Sequence, residues 1–374
     1  MDERIIEQNL IQCMMEFQKD SVIADTSKSV RGQNRPLSVA PMVNITDRHF
    51  RYFMRQLTRY TLLYTPMIAT GALIYGKKYH LLEYSDIEKP LALQLGGDNP
   101  AHLAECAHLA EDYNYDEVNL NVGCPSERVQ QGHFGACLMA KPEVVARCVE
   151  AMRKTTRLPV TVKHRIGIDG MDNYDNLVRF VEKVADAGCD RFIVHARIAI
   201  LGGLNPRQNR RVPPVRHDMV YQLKKDFPHL LIEINGEVKS LDQVEHHLKF
   251  VDGVMIGRAA YENPYIFAQA DNRIFHCSTR IVTRRQVIEN MLSYIDYWFH
   301  HGVHPMQLTR PLMSLLAHQK ESRFWKQQLN IISQRNEFSI EKLKTIIEQL
   351  PEEVLDVPPE REGEKKAFEN VSFS

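Results

Sequence analysis

A cysteine and an asparagine lie three residues apart where an apolar run of the chain ends. Residues 116–122 have the pattern of a buried strand, and Gly123-Cys124-Pro125 then turns the chain. In parallel α/β folds, catalytic groups collect at the carboxyl ends of strands. A thiol there can donate a proton or attack an electrophile, and Asn121 offers an amide donor and acceptor. The spacing leaves three roles open for Cys124: general acid, nucleophile or turn residue.

Further polar residues stand where other predicted strands end, namely Gln94, Lys163, His195, Asn235 and Arg258. One such residue alone is more often a capping residue, but several on one rim beside a thiol predict an active site. Lys163 supplies a positive charge and Gln94 a donor and an acceptor, which suit the edges of a reduced flavin ring. The alternative for Lys163 is an interior salt bridge, although no acidic residue ends an adjacent predicted strand.

Glycine turns after the last two predicted strands indicate a phosphate site. Asn235-Gly236-Glu237 and Gly257-Arg258-Ala259 let backbone N–H groups approach an anion, and Arg258 adds a charged donor. A single phosphate joined to a planar heterocycle makes FMN the cofactor that fits this set.

Eight apolar runs alternate with helix-period segments in residues 34–275. The runs are Leu37–Met42, Thr61–Met67, Pro90–Gly97, Tyr115–Gly123, Pro159–Gly167, Arg191–Arg197, Leu230–Gly236 and Asp252–Arg258. Helical patterns between them include Asp47–Thr58, Ala101–Tyr113, Glu143–Lys154 and Tyr174–Ala187. This alternation predicts an α/β fold, a parallel (β/α)8 TIM barrel of the usual length of about 240 residues. A doubly wound sheet is the alternative, but Ala40-Pro41-Met42-Val43 replaces its glycine-rich fingerprint.

The whole chain divides into four parts. We predict an N-terminal extension at 1–33, the TIM-barrel catalytic domain at 34–275, a C-terminal α-helical domain at 276–350 and a flexible charged tail at 351–374. Four segments of the helical domain have apolar residues at helical spacing: 281–301, 306–318, 321–334 and 338–349.

The segment 197–216 is strongly basic although the whole chain has no net charge. It contains Arg197, Arg207, Arg210, Arg211 and Arg216, and its glycines and prolines predict a long loop over the rim. A second basic set in the helical domain consists of Arg310, Arg323 and Lys326. A charge run is often only solvated surface, but two basic surfaces beside one pocket indicate a polyanionic substrate.

Composition narrows the class of protein. The 374 residues carry 47 basic and 47 acidic side chains, which argues against a general nucleic-acid binder but allows a local basic patch. The 7 cysteines form no CxxC pair, so neither a disulfide framework nor a metal site is expected, and a reducing cytoplasm is favoured. No apolar run reaches membrane-spanning length. We expect a cytoplasmic monomer with no membrane or DNA partner.

The ordered motifs resemble those of the flavin-dependent tRNA-dihydrouridine synthases, and most of all the A branch of that family. The match covers about residues 37 to 335. The matching segments are Val39-Ala40-Pro41-Met42 with Thr46-Asp47-Arg48, Leu93-Gln94-Leu95-Gly96-Gly97, 119–126, 135–139, 162–167, His195-Ala196-Arg197, Asn235-Gly236 and Gly257-Arg258.

The resemblance implies an FMN- and NADPH-dependent enzyme that reduces tRNA D-loop uridines, at positions 20 and 20a, to 5,6-dihydrouridine. Uracil C6 would receive the hydride of reduced FMN, and C5 would receive a proton from Cys124. Asn121 would contact the uridine, and Arg207, Arg210, Arg323 and Lys326 match tRNA-gripping positions. The implied FMN contacts are Ala40, Pro41, Met42, Gln94, Lys163, His195, Asn235, Gly236, Glu237, Gly257 and Arg258.

Two positions depart from the family pattern. Lys326 stands where arginine is more familiar, which keeps the charge but loses the planar fork. Glu237 stands where a second glycine is common, which matters little if only the backbone is used.

Two other functions stay open. A flavin barrel acting on a free pyrimidine, similar to dihydroorotate dehydrogenases, would share the FMN residues without needing the 197–216 loop or the helical domain. A tRNA-binding protein without catalysis would need neither the flavin residues nor Cys124.

Overall fold

The computed structural model describes residues 35–334 and 337–359, and within them a parallel sheet closes into a barrel. Its strands are β1 (Leu37–Val39), β2 (Leu63–Tyr64), β3 (Ile68–Ala69), β4 (Leu91–Gly96), β5 (Glu117–Val122), β6 (Val160–Arg165), β7 (Arg191–His195), β8 (Ile232–Asn235) and β9 (Gly253–Ile256). They follow the order β1-β9-β8-β7-β6-β5-β4-β2. Val39 N donates to Leu62 O at 2.9 Å, which joins the first strand to the second. The predicted TIM barrel is confirmed.

The second predicted strand, 61–67, is interrupted. β2 pairs with the start of β4 (Leu63 beside Leu91), whereas β3 pairs with its end (Ala69 beside Gly96). Pro66 lies between the two pieces and has no N–H to donate to the ladder. Both pieces therefore occupy one of the eight barrel positions.

Helices pack around the barrel, and polar caps mark several of their starts. They are α1 (Arg48–Arg55), α2 (Thr70–Ile74), α3 (Pro100–Asp112), α4 (Glu127–Gln131), α5 (Pro142–Thr155), α6 (Tyr174–Asp186), α7 (His217–Asp226), α8 (Leu241–His247), α9 (Ala259–Glu262) and α10 (Ala270–Arg273). Asp47 accepts the Phe50 N–H at 3.0 Å, and Asn173 accepts the Asn176 N–H at 2.9 Å. Such caps satisfy N–H groups that have no partner inside the helix.

Charged side chains fill the amino-terminal end of the barrel interior. Arg191 pairs with Glu117 and lies 3.4 Å from Glu233, and all three are buried. Tyr64 Oη donates to Glu117 at 2.7 Å, and Ser38 Oγ donates to Glu233. Because charges are costly to bury unpaired, this layer is held together by mutual pairing.

A helical region follows the barrel and packs against α1. It comprises α11 (Arg284–His300), α12 (Pro305–Thr309), a 3-10 helix at Arg310–Ser314, α13 (Ser322–Ile332), α14 (Ile340–Glu348) and α15 (Glu352–Leu355). Tyr52 stacks on Tyr294 with ring centroids 3.7 Å apart, and Arg310 pairs with Asp47. No helix in the described residues is long and apolar enough to cross a membrane.

The tail differs from the prediction that residues 351–374 are flexible. α15 lies in that range, and Val354 and Leu355 are buried. Asp356 accepts two hydrogen bonds from Arg285, from Nε at 2.8 Å and from Nη2 at 2.9 Å, so charge pairing extends the packed region. In the sequence, two adjacent apolar residues are too short a pattern to predict packing within a charged segment, and the partner of Asp356 lies far away in the chain. The 1–33 extension and residues 360–374 lie outside the described residues.

Candidate active site

The carboxyl ends of the strands bring the predicted site residues to one rim. Gln94 lies on β4, Asn121 on β5, Lys163 on β6, His195 on β7 and Asn235 on β8. Asn121 is paired in register with Lys163, and His195 with Asn235. Ala40, Pro41 and Met42 follow β1, and Gly257 and Arg258 follow β9, which is the strand beside it.

A chain of buried hydrogen bonds leads from the charged layer to the Cys124 turn. Thr161 Oγ1 donates to Glu117 at 2.6 Å, so its oxygen accepts from Asn119 Nδ2 at 2.8 Å. Asn119 Oδ1 then accepts from Gln94 Nε2 at 2.8 Å, and Gln94 Oε1 accepts from Asn121 Nδ2 at 2.9 Å. The acceptor-only carboxylate thus sets the orientation of every amide above it.

The Cys124 turn is held by hydrogen bonds to its backbone N–H and C=O groups. Asn121 Oδ1 accepts the N–H groups of Gly123 and Cys124, at 3.2 and 3.0 Å. The Cys124 carbonyl accepts the Ala136 N–H at 2.9 Å. Gly135 has φ +79°, and a Cβ there would lie 2.6 Å from the Cys124 carbonyl oxygen, so only glycine fits. Cys124 is a partly exposed residue at the rim.

Arg165 connects this turn to the basic segment 197–216, which we call the basic loop. The sequence did not reveal this role. Its Nε donates to Gly123 O at 3.1 Å, and its Nη1 donates to Ile198 O at 2.9 Å and Asn209 O at 3.1 Å. Burial lowers the pKa of Arg165 to about 10, which leaves it charged at neutral pH. The missed signal was its position two residues after Lys163 on one strand, where both side chains point to the same face.

Lys163 makes the middle of the rim electropositive, whereas His195 near it stays neutral. Lys163 Nζ donates to Asn235 Oδ1 at 3.1 Å, and Lys163 makes no ion pair with another described residue. Burial, with the nearby Arg165 guanidinium, lowers the pKa of Lys163 to about 8. Burial and the same cations hold the pKa of His195 well below its usual range, so its ring is neutral at pH 7.

The turn after β8 has the shape of an anion cradle. Gly236 and Glu237 both have positive φ, at +128° and +57°. The second value explains why glycine suits position 237, and here Arg197 pairs with the Glu237 carboxylate. The N–H groups of Gly236, Glu237, Gly257 and Arg258 donate to no acceptor among the described residues. Backbone N–H groups in this state suit a phosphate.

These residues fit FMN. Free N–H groups and Arg258 can hold one phosphate, while Lys163 and the spare amide hydrogen and lone pair of Gln94 can meet the polar edges of a flavin. Ala40 is buried, and Pro41 and Met42 are partly exposed on the rim beside them. Each of the eleven residues implied for FMN therefore lies at this end of the barrel.

Four other cysteines differ from Cys124 in their surroundings. Cys106, Cys148 and Cys189 are buried, and burial raises the pKa of each thiol. Cys137 lies in the 3-10 helix Gly135–Ala140, where its Sγ donates to Phe134 O at 3.2 Å. Burial also raises the pKa of Cys137.

The basic loop is long, as predicted, but it has internal order. The buried Asn209 side chain accepts the Ile200 N–H at 2.8 Å and donates to Ile200 O and Leu204 O, at 2.9 and 3.0 Å. Arg207 and Arg210 remain exposed. The nearby Arg258 adds to the effect of burial in lowering the pKa of Arg210, which places Arg210 electrostatically close to the rim.

The helical region presents a smaller basic surface than the sequence suggested. Arg323 and Lys326 are exposed on α13, three residues apart and therefore on one helix face. Arg310, in contrast, is engaged with Asp47 between the barrel and the helical region. Arg197 of the basic loop is likewise buried against Glu237.

Comparison with known proteins shows the family to which this chain belongs. A family profile described as dihydrouridine synthase matches residues 38–351. The tRNA-dihydrouridine(20/20a) synthase of Synechocystis sp. is 59% identical over 295 residues, 79% of this chain and 88% of the relative. Proteins with the same name from Vibrio vulnificus (50% identity, 86% and 98% covered) and Pseudomonas syringae pv. tomato (53% identity, 78% and 88% covered) are also similar. The chain therefore belongs to the dihydrouridine synthase family.

Proposed function

We propose that this protein reduces uridines 20 and 20a in the D-loop of tRNA to 5,6-dihydrouridine, the activity named for its relatives. The observation that carries the proposal is the rim itself, where Cys124, the chain of hydrogen-bonded amides (Asn119, Gln94 and Asn121) and the anion cradle lie at one end of the barrel. Bound FMN, reduced by NADPH, would supply the hydride for uracil C6. We further propose that the protein acts in the cytoplasm as a monomer, with no membrane or DNA partner.

The residues of the chain have separate tasks in this proposal. Ala40, Pro41, Met42, Gln94, Lys163, His195, Asn235 and the turns at 236–237 and 257–258 would hold FMN. The Cys124 thiol would give its proton to C5 of the uracil, and Asn121 would hold both the turn and the base. Because a uridine inside folded tRNA cannot reach a barrel mouth, the base would be turned out of its stack.

The basic surfaces favour tRNA over a free pyrimidine. Arg207 and Arg210 on the loop, with Arg323 and Lys326 on α13, are exposed cations in two separate regions, more than a small free pyrimidine would need. They would grip the phosphate backbone and the shape of the tRNA rather than read a long sequence.

An assay with purified protein, NADPH and an unmodified tRNA transcript tests the proposal. Dihydrouridine should form at positions 20 and 20a, and the protein should release FMN when it is denatured. Turnover of free uridine or dihydroorotate with the transcript left unmodified would establish the free-pyrimidine function instead. Tight tRNA binding by a protein without flavin would establish a non-catalytic binder.

A further inference from the structure

An exposed basic and aromatic segment lies on the rim, away from the basic loop and α13. We call it the rim patch: Tyr75, Lys77, Lys78 and Tyr79, with His102 beside them. Residues 75–81 are all exposed, and Tyr75 has 73% of its surface exposed. The chain contains no acidic residue between Asp47 and Glu83, so no carboxylate of this stretch neutralises the two lysines.

The rim patch is held in place rather than loosely attached. Tyr75 Oη and His102 Nε2 are 3.0 Å apart, and their rings meet edge to face with centroids at 5.2 Å. Gly76 follows α2 so closely that a Cβ would lie 2.7 Å from Ala72 O. Lys77 then has φ +47°, which turns the chain sharply and presents the lysines to solvent.

Sheet order places the rim patch opposite the basic loop. The patch follows β3 and α2, the Cys124 turn follows β5 and the basic loop follows β7, all at the carboxyl end of the barrel. β4 separates β3 from β5, and β6 separates β5 from β7. Neighbouring strands are about 4.8 Å apart, so the strand ends that precede the two basic segments lie about 10 Å to either side of the end of β5.

We propose that the rim patch binds the RNA strand on the side of the target uridine opposite to the basic loop. The lysines contact phosphates, and the Tyr75 ring stacks on an unpaired base next to the one that is turned out. An exposed aromatic face beside cations is the arrangement that holds single-stranded RNA without reading its sequence. This inference rests on the proposed function, because it needs a uridine of an RNA strand at Cys124.

The test measures binding of unmodified tRNA to the flavin-loaded protein over a range of salt concentrations. Lys77→Ala/Lys78→Ala should weaken binding and reduce the slope of log affinity against log salt by about 1.5 to 2. The slope falls because the variant has lost two phosphate contacts and therefore releases fewer counterions on binding. The matched control is Lys225→Ala/Lys249→Ala. Those lysines are also exposed, but they precede β8 and β9 and so lie at the opposite end of the barrel.

Tyr75 separates stacking from charge. Tyr75→Ala should weaken tRNA binding by about tenfold with an unchanged salt slope, whereas Tyr75→Phe keeps the ring and should bind almost as tightly as the wild type. Reduction of the flavin by NADPH should be the same in all of these variants.

The outcomes distinguish this inference from the proposed function. If the wild type forms no dihydrouridine in tRNA, both fail. If the wild type modifies tRNA but Lys77→Ala/Lys78→Ala matches Lys225→Ala/Lys249→Ala in affinity and slope, only the rim patch is wrong. That result would assign the exposed tyrosines and lysines to another partner, such as a protein.

Discussion

At the scale of single residues, Cys124 is the proposed proton donor. Cys124→Ala removes the proton donor but leaves the Asn121 contacts, which are made by backbone N–H groups. The variant should therefore retain FMN and its reduction by NADPH, yet lose uridine reduction by at least 100-fold, the order of magnitude of general acid catalysis. Single-turnover mixing of the reduced variant with tRNA measures the second step separately.

The matched control for Cys124 is Cys137, thirteen positions along the chain and also partly exposed. Its Sγ is engaged with Phe134 O, so Cys137→Ala should lose little activity. A fully active Cys124→Ala combined with an inactive Cys137→Ala would transfer the proton-donor role to Cys137.

The lowered pKa of Lys163 gives a pH dependence to cofactor binding. Without flavin that pKa is about 8, and the proposed hydrogen bond to the flavin edge would favour the charged amine, so the bound state should hold the proton more tightly. Binding then takes up a proton above pH 8, and FMN affinity should fall as pH rises from 8 to 9.5.

Titration of the apoprotein with FMN, followed by flavin fluorescence, measures this effect. Lys163→Met should bind FMN more weakly and without the pH dependence, because no proton is taken up. Lys163→Arg stays charged throughout and should also be insensitive to pH. A Lys163→Met protein with the wild-type pH profile would show that another group titrates.

At the scale of elements, Arg165 couples the Cys124 turn to the basic loop. Arg165→Lys keeps the charge but loses the planar fork, whose Nε donates to the turn while its Nη1 donates to the loop, so the loop should open more often. Trypsin should then cut within residues 197–216 about tenfold faster, since a lost charged hydrogen bond is worth about 1.5 kcal/mol or more.

Arg179→Lys, an exposed position on α6, is the control for that experiment. It changes the same residue type without loosening a loop, so the cleavage rate of 197–216 should stay at the wild-type value. Equal rates in both variants would mean that Arg165 does not restrain the loop.

At the scale of the whole molecule, tRNA recognition should depend on both the barrel and the helical region. Arg210→Ala/Arg323→Ala removes one exposed cation from each, so tRNA affinity should fall and the salt slope should decrease by about 1.5 to 2. Flavin reduction by NADPH should not change. Unchanged affinity and slope would reduce these residues to solvated surface and place the tRNA elsewhere.

The sequence by itself determined the barrel, the rim and the family. The strand and helix patterns depend only on residues that are near one another in the sequence. Because parallel strands have their carboxyl ends at the same end of a barrel, residues such as Gln94, Lys163 and Asn235 must then lie on one rim. The break at Pro66 was also readable in principle, because proline cannot donate to a strand ladder.

Only the tertiary structure decided which charges are free. In the sequence, Arg197 and Arg310 cannot be told apart from Arg210 and Arg323, because all four lie in basic segments. In the structure, Arg197 pairs with Glu237 and Arg310 pairs with Asp47, and both acids come from distant parts of the chain. The Arg165 clamp, the amide chain that begins at Glu117 and the burial of Val354 and Leu355 likewise depend on partners far apart in sequence. Local patterns cannot encode such pairings, because they arise only when the closed barrel brings the elements together.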